Sequence, residues 1–145
     1  MNIIAKITIL ITSIFYVNVG IKHFLDPNWF LHIIPPYLNC IGLELVYISG
    51  FFEVVLGILI LIPKYRKIGA YGIILLLIAV YPANIYLAFN HEPQELIGIS
   101  SFAASWIRLP IQFILIFIAY FISRYDNIFK KDINSDYKEL KKKNL

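Results

Sequence analysis

The feature of this sequence that most constrains its fold is a set of four apolar runs, each long enough to cross a bilayer as a helix. The runs cover about residues 3–22, 43–62, 68–89 and 101–123, and a bilayer-spanning helix needs about 20 mostly apolar residues. Hydrophobic residues make up 59% of the chain and charged residues only 15%, whereas a soluble domain is about half apolar and a quarter charged. The sequence therefore predicts an all-α bundle of four transmembrane helices.

Basic residues gather at one set of helix ends. Most Lys and Arg lie in the segment 64–67 and from Arg124 onward, and cytoplasmic loops collect these residues. Four spans put both clusters and Lys6 on one side, which predicts a multi-pass protein of the cell (inner) membrane with both termini in the cytoplasm. Because topology accounts for the net charge of +4, we do not expect nucleic acid as a partner. The first run lacks an A-x-A-like cleavage site, so we expect it to be a retained helix.

The segments outside the four runs carry their own signals. Asp26 followed by Pro27 is typical of a helix start, a capping side chain before Pro at the first helical position. We therefore expect a short amphipathic helix in the first outer loop, with Trp29 at the membrane interface. Residues 125–145 are polar and Lys-rich, and we expect a mobile cytoplasmic tail that follows the four-helix domain of residues 1–124.

A few polar residues fall within the apolar runs, where charges are costly and usually face the bundle interior in pairs. They are Asn18, His23, Glu53, Asn84, Arg108 and Gln112. At a helical rise of about 1.5 Å per residue, all of them belong to the outer half or the middle of the membrane. Our hypothesis is a Glu53–Arg108 ion pair whose remaining hydrogen bonds are made by Asn84 and Gln112.

Helical spacing indicates which faces meet. Glu53 shares a face with two glycines, and Ser101, Ser105, Arg108 and Gln112 form a polar stripe on the fourth run. Two interpretations stay open. The polar groups could serve structure, for example by satisfying carbonyls freed by Pro82 and Pro110. Alternatively, they could form a ligand pocket that opens outward between the second, third and fourth spans, with an opening lined by aromatic side chains. Those aromatic side chains would be Phe24, Trp29, Tyr81 and Trp106.

Motifs for self-sufficient catalysis are absent from the sequence. The single cysteine, Cys40, excludes an intrachain disulfide, a dithiol shuttle and a multi-thiolate zinc site. His32 and His91 lack metal-ligand spacing, and no serine lies in a nucleophile motif. We therefore predict no metal site, no catalytic residues and no evident cofactor, although a quinone would suit the pocket.

A group of short motifs, in order along the chain, resembles the DoxX-like family of small four-span membrane proteins. The motifs are Gly20-x-x-His23-Phe24-x-x-Pro27, Ile34-Pro35-Pro36-Tyr37-Leu38, Ser49-Gly50-x-x-Glu53-x-x-x-Gly57, Ile62-Pro63-x-x-Arg66, Tyr81-Pro82-Ala83-Asn84 and Arg108-Leu109-Pro110-x-Gln112. The resemblance implies a four-helix membrane bundle. The family name derives from a subunit linked to thiosulfate:quinone oxidoreduction, and related eukaryotic proteins resemble assembly factors for receptors.

Four functions follow as hypotheses. The first is binding of a small amphipathic ligand, a quinone or a lipid, in the outward-facing polar pocket. The second is a quinone-site subunit of a membrane redox complex, and the third is a membrane-protein assembly factor. The fourth is a transporter, which would need a dimer. The protein partners that these hypotheses imply are a membrane redox protein and a second copy of this chain.

Overall fold

The computed structural model describes the backbone of residues 3–143 and the side chains of residues 3–125. Within residues 3–143 the chain is helical and contains no strand. The α-helices are α1 (Ile3–Leu25), α2 (Pro27–Leu31), α3 (Gly42–Leu59), α4 (Arg66–Phe89), α5 (His91–Ile97) and α6 (Arg108–Lys143). A 3₁₀ turn at Pro36–Ile41 leads into α3, and a π-helical turn at Ala103–Ile107 leads into α6.

Four segments are long and apolar enough to cross a membrane. They are Ile3–Leu25, Pro36–Leu59, Arg66–Phe89 and Ala103–Tyr125. The prediction of an all-α bundle with four long apolar helices is therefore confirmed, and the protein is a multi-pass membrane protein. The second span ends at Leu59 rather than near residue 62, because the chain turns at once toward α4.

The short helices α2 and α5 both lie where the chain has just left a long helix, α1 or α4, so they share one end of the bundle. We call this end the loop end. Asp26 caps α2 as predicted, since its Oδ1 accepts a hydrogen bond from the Trp29 amide at 3.4 Å, and Pro27 opens the helix. That α2 lies in the membrane interface stays a prediction.

The long helices pack in chain order, α1 on α3, α3 on α4 and α4 on α6, while α1 and α6 touch only slightly. Glycines bring α1 and α3 together. A Cβ atom placed on Gly50 would lie 2.5 Å from the Cβ atom of His23, and one on Gly20 would lie 2.7 Å from the Gly50 carbonyl oxygen. Small residues at a helix crossing allow such close approach, and here they hold the backbones of α1 and α3 against each other.

The apolar core occupies the half of the bundle away from the loop end. Its fully buried members include Ile60, Ile73, Ala119 and Ile122. At the far end Arg66 is buried, and its guanidinium donates to the carbonyl oxygens of Ile60 and Leu61 after the last turn of α3. The sequence indicated Arg66 only as a topology charge, whereas the structure uses it to satisfy freed carbonyl groups at a helix end.

The connection between α4 and α6, which contains α5, is fixed to the bundle by hydrogen bonds that the sequence did not reveal. The buried Gln94 of α5 donates to the carbonyl oxygens of Leu87 and Ala88 in the last turn of α4. Ser101 donates to Gln94, and Ser105 donates to Ala88. Two members of the predicted polar stripe therefore hold the loop end together rather than facing the bundle centre.

The last helix continues as one helix to Lys143. The backbone of the segment predicted as a mobile tail is thus helical as far as Lys143, and its side chains from residue 126 onward lie outside the described residues. Its cytoplasmic location stays a prediction.

Candidate functional site

A cavity of about 700 Å³ lies in the loop-end half of the bundle. All four spans line it, together with α2 and the residues that follow α2. The sequence predicted a pocket that opens between the second, third and fourth spans, with His23 and Asn18 of the first span among its candidate residues. The Gly20–Gly50 contact holds α1 against α3 and so brings α1 side chains, His23 included, into the cavity wall.

One wall of the cavity carries Glu53, which is buried in the middle of α3. Its Oε2 lies 3.1 Å from Nδ1 of His23 on α1. The same nitrogen lies 2.9 Å from the Val19 carbonyl oxygen, and because a carbonyl can only accept, Nδ1 carries the hydrogen. The His23 ring also stacks on Phe30, with ring centroids 3.6 Å apart. The imidazole is thus held between a backbone carbonyl, an aromatic ring and a carboxylate.

Two buried oxygen atoms on this wall lack a hydrogen-bond partner in the described part of the chain. They are Oε2 of Glu53 and the hydroxyl of Tyr16. Both residues line the cavity, and Tyr16 is only 3% exposed. Buried polar groups are normally hydrogen-bonded, and each orphan calls for an explanation.

The other polar wall carries Arg108 at the start of α6. Its Nε donates to Oδ1 of Asn84 on α4 at 2.8 Å, and its guanidinium lies 5.7 Å from the Trp29 ring centroid. Asn84 in turn donates through Nδ2 to Oε1 of Gln112 at 2.5 Å. Arg108 is half-buried, and none of the described side chains gives it a carboxylate partner.

The Gln112 side chain completes this wall by donating to the backbone carbonyl of Leu77. Leu77 lies next to Ile78, whose carbonyl loses its helical donor because Pro82 has no N–H. Asn84 thus bonds Arg108, as the hypothesis required, whereas Gln112 bonds Asn84 rather than Arg108. Gln112 also bonds the carbonyl one residue before the one that Pro82 frees, so the interpretation that the network repairs a proline-containing helix stays a prediction.

The position of Arg108 depends on the irregular backbone before it. In the π-helical turn the Arg108 amide donates to the Ala103 carbonyl, five residues back. Pro110 lies two residues after Arg108 and, like Pro82, has no N–H to donate to the preceding helical turn. Single π turns inside helices occur often at functional sites, and this one brings Arg108 to Asn84 and Trp29.

The hypothesis of a Glu53–Arg108 ion pair was wrong. Oε2 of Glu53 lies beside Nδ1 of His23 across the α1–α3 contact without accepting its hydrogen, whereas Arg108 bonds Asn84 across the α4–α6 contact. Both side chains line the same cavity but belong to different walls. Helical spacing showed that both face the interior, but it does not show which neighbouring helix each side chain meets.

Other predicted site residues lie elsewhere. Asn18 is exposed, and its amide donates to the Ile14 carbonyl of its own helix, so it is not part of the cavity. Among the aromatic residues predicted at the opening, only Trp29 lines the cavity. Phe24 stacks on Tyr47, Tyr81 packs against Phe113, and Trp106 is 73% exposed.

The sequence interpretation missed Tyr16 and Phe30. A signal for Tyr16 existed, since Tyr16, Gly20 and His23 share one helical face by their spacing of four and three residues. Phe30 follows the capped start of α2, but nothing in the sequence connects it to His23.

The cavity has a polar rim and an apolar side. Lys22 and Asp26, of opposite charge, line it at the loop end and are exposed. Phe15 of α1 and Ile111 of α6 line the cavity and are each 45% exposed. Because α1 and α6 touch only slightly, these two residues mark the apolar side of the cavity.

This arrangement suits binding of a molecule with a polar head and an apolar remainder. The polar groups converge on one cavity, and apolar side chains of α1 and α6 line its other side. The fold and the site define a small four-span membrane protein with a polar cavity in one half of its bundle.

Comparison with known proteins assigns the chain to a family but gives no function. The model of the family described as Domain of unknown function (DUF8561) matches residues 12–123. The chain therefore belongs to this family. The search of curated proteins and the search of solved structures gave no match.

Proposed function

We propose that this chain is a DoxX-like membrane protein that binds a small amphipathic molecule, a quinone or a lipid, with the polar head in the loop-end cavity. The observation that carries the proposal is the half-buried guanidinium of Arg108, which lines the cavity with only a neutral amide and an aromatic ring as partners. A guanidinium carries five N–H donors, and the bond to Asn84 uses one of them, which leaves the others without a partner among the described side chains. A ligand oxygen would supply that partner.

The test is to purify the protein from native membranes and identify bound small molecules by mass spectrometry. We expect one class of amphipath to copurify, and Arg108→Gln to reduce its occupancy by about tenfold, the effect of roughly 1.4 kcal/mol. Arg124→Gln is the matched control, because Arg124 is exposed at the opposite end of the span. Equal occupancy in wild type and Arg108→Gln would refute the proposal.

A quinone-site subunit of a membrane redox complex is the second candidate. Two hydrogen-bond donors, the Tyr16 hydroxyl and the Arg108 guanidinium, line the cavity from different helices, as the two carbonyl oxygens of a quinone would require. Copurification of a quinone, together with a redox protein captured by crosslinking in membranes, would support this candidate. Binding of lipid alone would exclude it.

We further propose that the protein lies in the cell (inner) membrane with both termini in the cytoplasm, so that the cavity opens outward. Basic residues at the end opposite the cavity support this orientation. Cys40 is the only cysteine and is exposed at the loop end, so a membrane-impermeant maleimide should label it in intact cells. In a Cys40→Ser background, Lys64→Cys should react only after permeabilisation. The reverse labelling pattern would overturn the orientation.

A further inference from the structure

We propose that the head of the ligand is a zwitterion, with a primary ammonium at Glu53 and an anionic oxygen group at Arg108. This inference rests on the proposed function and specifies the chemistry of the same cavity. It excludes a quinone as the principal ligand and favours a lipid with a phosphoethanolamine head.

The anionic end of the head follows from Arg108. Its Nε bonds the neutral Asn84, and Trp29 lies over the guanidinium, so the remaining N–H groups have no acidic partner among the described side chains. A guanidinium presents a planar set of donors that matches phosphate and carboxylate oxygens. A phosphodiester fits this wall better than a quinone carbonyl, because only the phosphodiester brings a compensating charge.

The cationic end follows from Glu53 and Tyr16. Oε2 of Glu53 and the Tyr16 hydroxyl are buried and lack protein donors in the described chain. The hydrogen on Nδ1 of His23 is directed to the Val19 carbonyl. A primary ammonium carries three N–H donors and could serve both oxygen atoms. A trimethylammonium group has no N–H and would leave them without donors.

The two ends belong to one ligand because the two charges do not neutralise each other. Glu53 and Arg108 line one cavity without forming an ion pair, and buried charges are costly unless paired. An anionic lipid would leave Glu53 opposed to its own charge, and a cationic amphipath would leave Arg108 unpaired. Lys22 and Asp26 at the rim are of opposite sign, so they give no net preference.

The rest of the ligand follows from the shape of the cavity. Its apolar side is lined by Phe15, Ile111 and Leu115 on α1 and α6, two helices that touch only slightly. Acyl chains can pass there to the bilayer while the head stays between the two polar walls. A lipid is therefore favoured over a free zwitterionic solute.

The experiment is native mass spectrometry of the full-length protein in detergent with added ligands. The probes are phosphatidylethanolamine, phosphatidylcholine and phosphatidylglycerol with identical acyl chains, and water-soluble glycerophosphoethanolamine. We expect phosphatidylethanolamine to bind at least about tenfold more tightly than each other probe, a difference of roughly 1.4 kcal/mol.

Variants assign this preference to the two walls. Glu53→Gln should bring phosphatidylethanolamine and phosphatidylcholine to within about twofold of each other, whereas the exposed Glu95→Gln should keep the wild-type ratio, since removing one partner of a buried charge pair costs far more than removing a surface charge. Arg108→Gln should weaken all three phospholipids. Tyr16→Phe loses no protein hydrogen bond, so it keeps the fold, and it should reduce the preference for phosphatidylethanolamine several-fold.

The outcomes separate this inference from the proposed function. Equal or tighter binding of phosphatidylglycerol, or an unchanged lipid ratio in both Glu53→Gln and Tyr16→Phe, overturns the zwitterion while Arg108-dependent lipid binding still supports an amphipath site. Binding of glycerophosphoethanolamine as tightly as the lipid overturns the lipid source. If Arg108→Gln binds every probe, and quinone, as tightly as the wild type does, both proposals are overturned.

Discussion

The Gly50→Ala substitution should separate α1 from α3 and disturb the Glu53 wall of the cavity. The added Cβ atom would lie 2.5 Å from the Cβ atom of His23 and 3.0 Å from the Gly20 carbonyl oxygen, whereas ordinary contact begins near 3.4 Å. Neither group can rotate away, because one is a backbone atom and the other is attached directly to the helix. The helices must therefore move apart by roughly 1 Å in a close-packed interface.

Overpacking of this kind costs about 1–3 kcal/mol. The same movement lengthens the 3.1 Å contact between His23 and Glu53, so we expect the upper part of this range, about 2–3 kcal/mol of unfolding free energy. The assay is unfolding of the purified protein in mixed detergent micelles with increasing dodecyl sulfate, followed by circular dichroism.

Gly72→Ala is the matched control. Its added Cβ atom would lie 2.4 Å from Cδ2 of Leu56, the end of a flexible side chain that can change rotamer, so we expect a cost below about 1 kcal/mol. If Gly50→Ala unfolds at the wild-type midpoint, or if both substitutions cost the same, the α1–α3 contact behind the Glu53 wall is not rigid.

Three further predictions concern the other walls and the far end of the bundle. Gln112→Leu leaves the Leu77 carbonyl and the Asn84 amide without their partner. We expect it to lower the free energy of unfolding by about 2 kcal/mol in the same assay. Gln94→Leu is the comparison for ligand binding, because Gln94 does not line the cavity, and it should leave the Arg108-dependent binding intact. Arg66→Gln removes the donors to the carbonyls after α3 and should cost about 2 kcal/mol, whereas a wild-type midpoint would show that this contact is dispensable. Ile111→Trp fills the gap between α1 and α6 and should slow exchange of bound lipid without lowering stability by more than about 1 kcal/mol; unchanged exchange would mean that ligand enters elsewhere.

Much of the fold could be predicted from the sequence because the bilayer restricts the choices. Hydropathy and length located the four long helices, and the Asp26-Pro27 signal located α2. Helical spacing correctly placed Glu53, Arg108 and Gln112 toward the bundle interior. These are one-dimensional properties of the chain, and they need no knowledge of which helices are neighbours.

The pairings inside the site required the three-dimensional arrangement. Glu53 meets His23 rather than Arg108 because the glycines at positions 20 and 50 bring α1 and α3 into contact. Helix spacing alone also misplaced Ser105, which bonds the end of α4 instead of facing the cavity. The π-helical turn at Ala103–Ile107 changes the register between these positions and Arg108, and no motif in the sequence announced it.

Polar side chains that bond the backbone of their own helix were a second reason why the site prediction differed from the structure. Asn18 has the polarity and depth of a site residue, yet its amide bonds the carbonyl one turn earlier in its own helix. Arg66 is the converse example, since a residue interpreted only as a topology charge is buried and bonds the carbonyls at the end of α3. In a membrane protein, backbone carbonyls compete for every donor, so a polar residue need not indicate a ligand.

The most direct test of the proposed site is an experimental density map of the full-length protein in lipid nanodiscs that contain phosphatidylethanolamine. We predict head-group density between Arg108 and Glu53, with chain density that leaves between α1 and α6 beside Ile111. A map in which Arg108 turns to pair with Glu53 and no ligand density contacts either side chain would contradict this prediction.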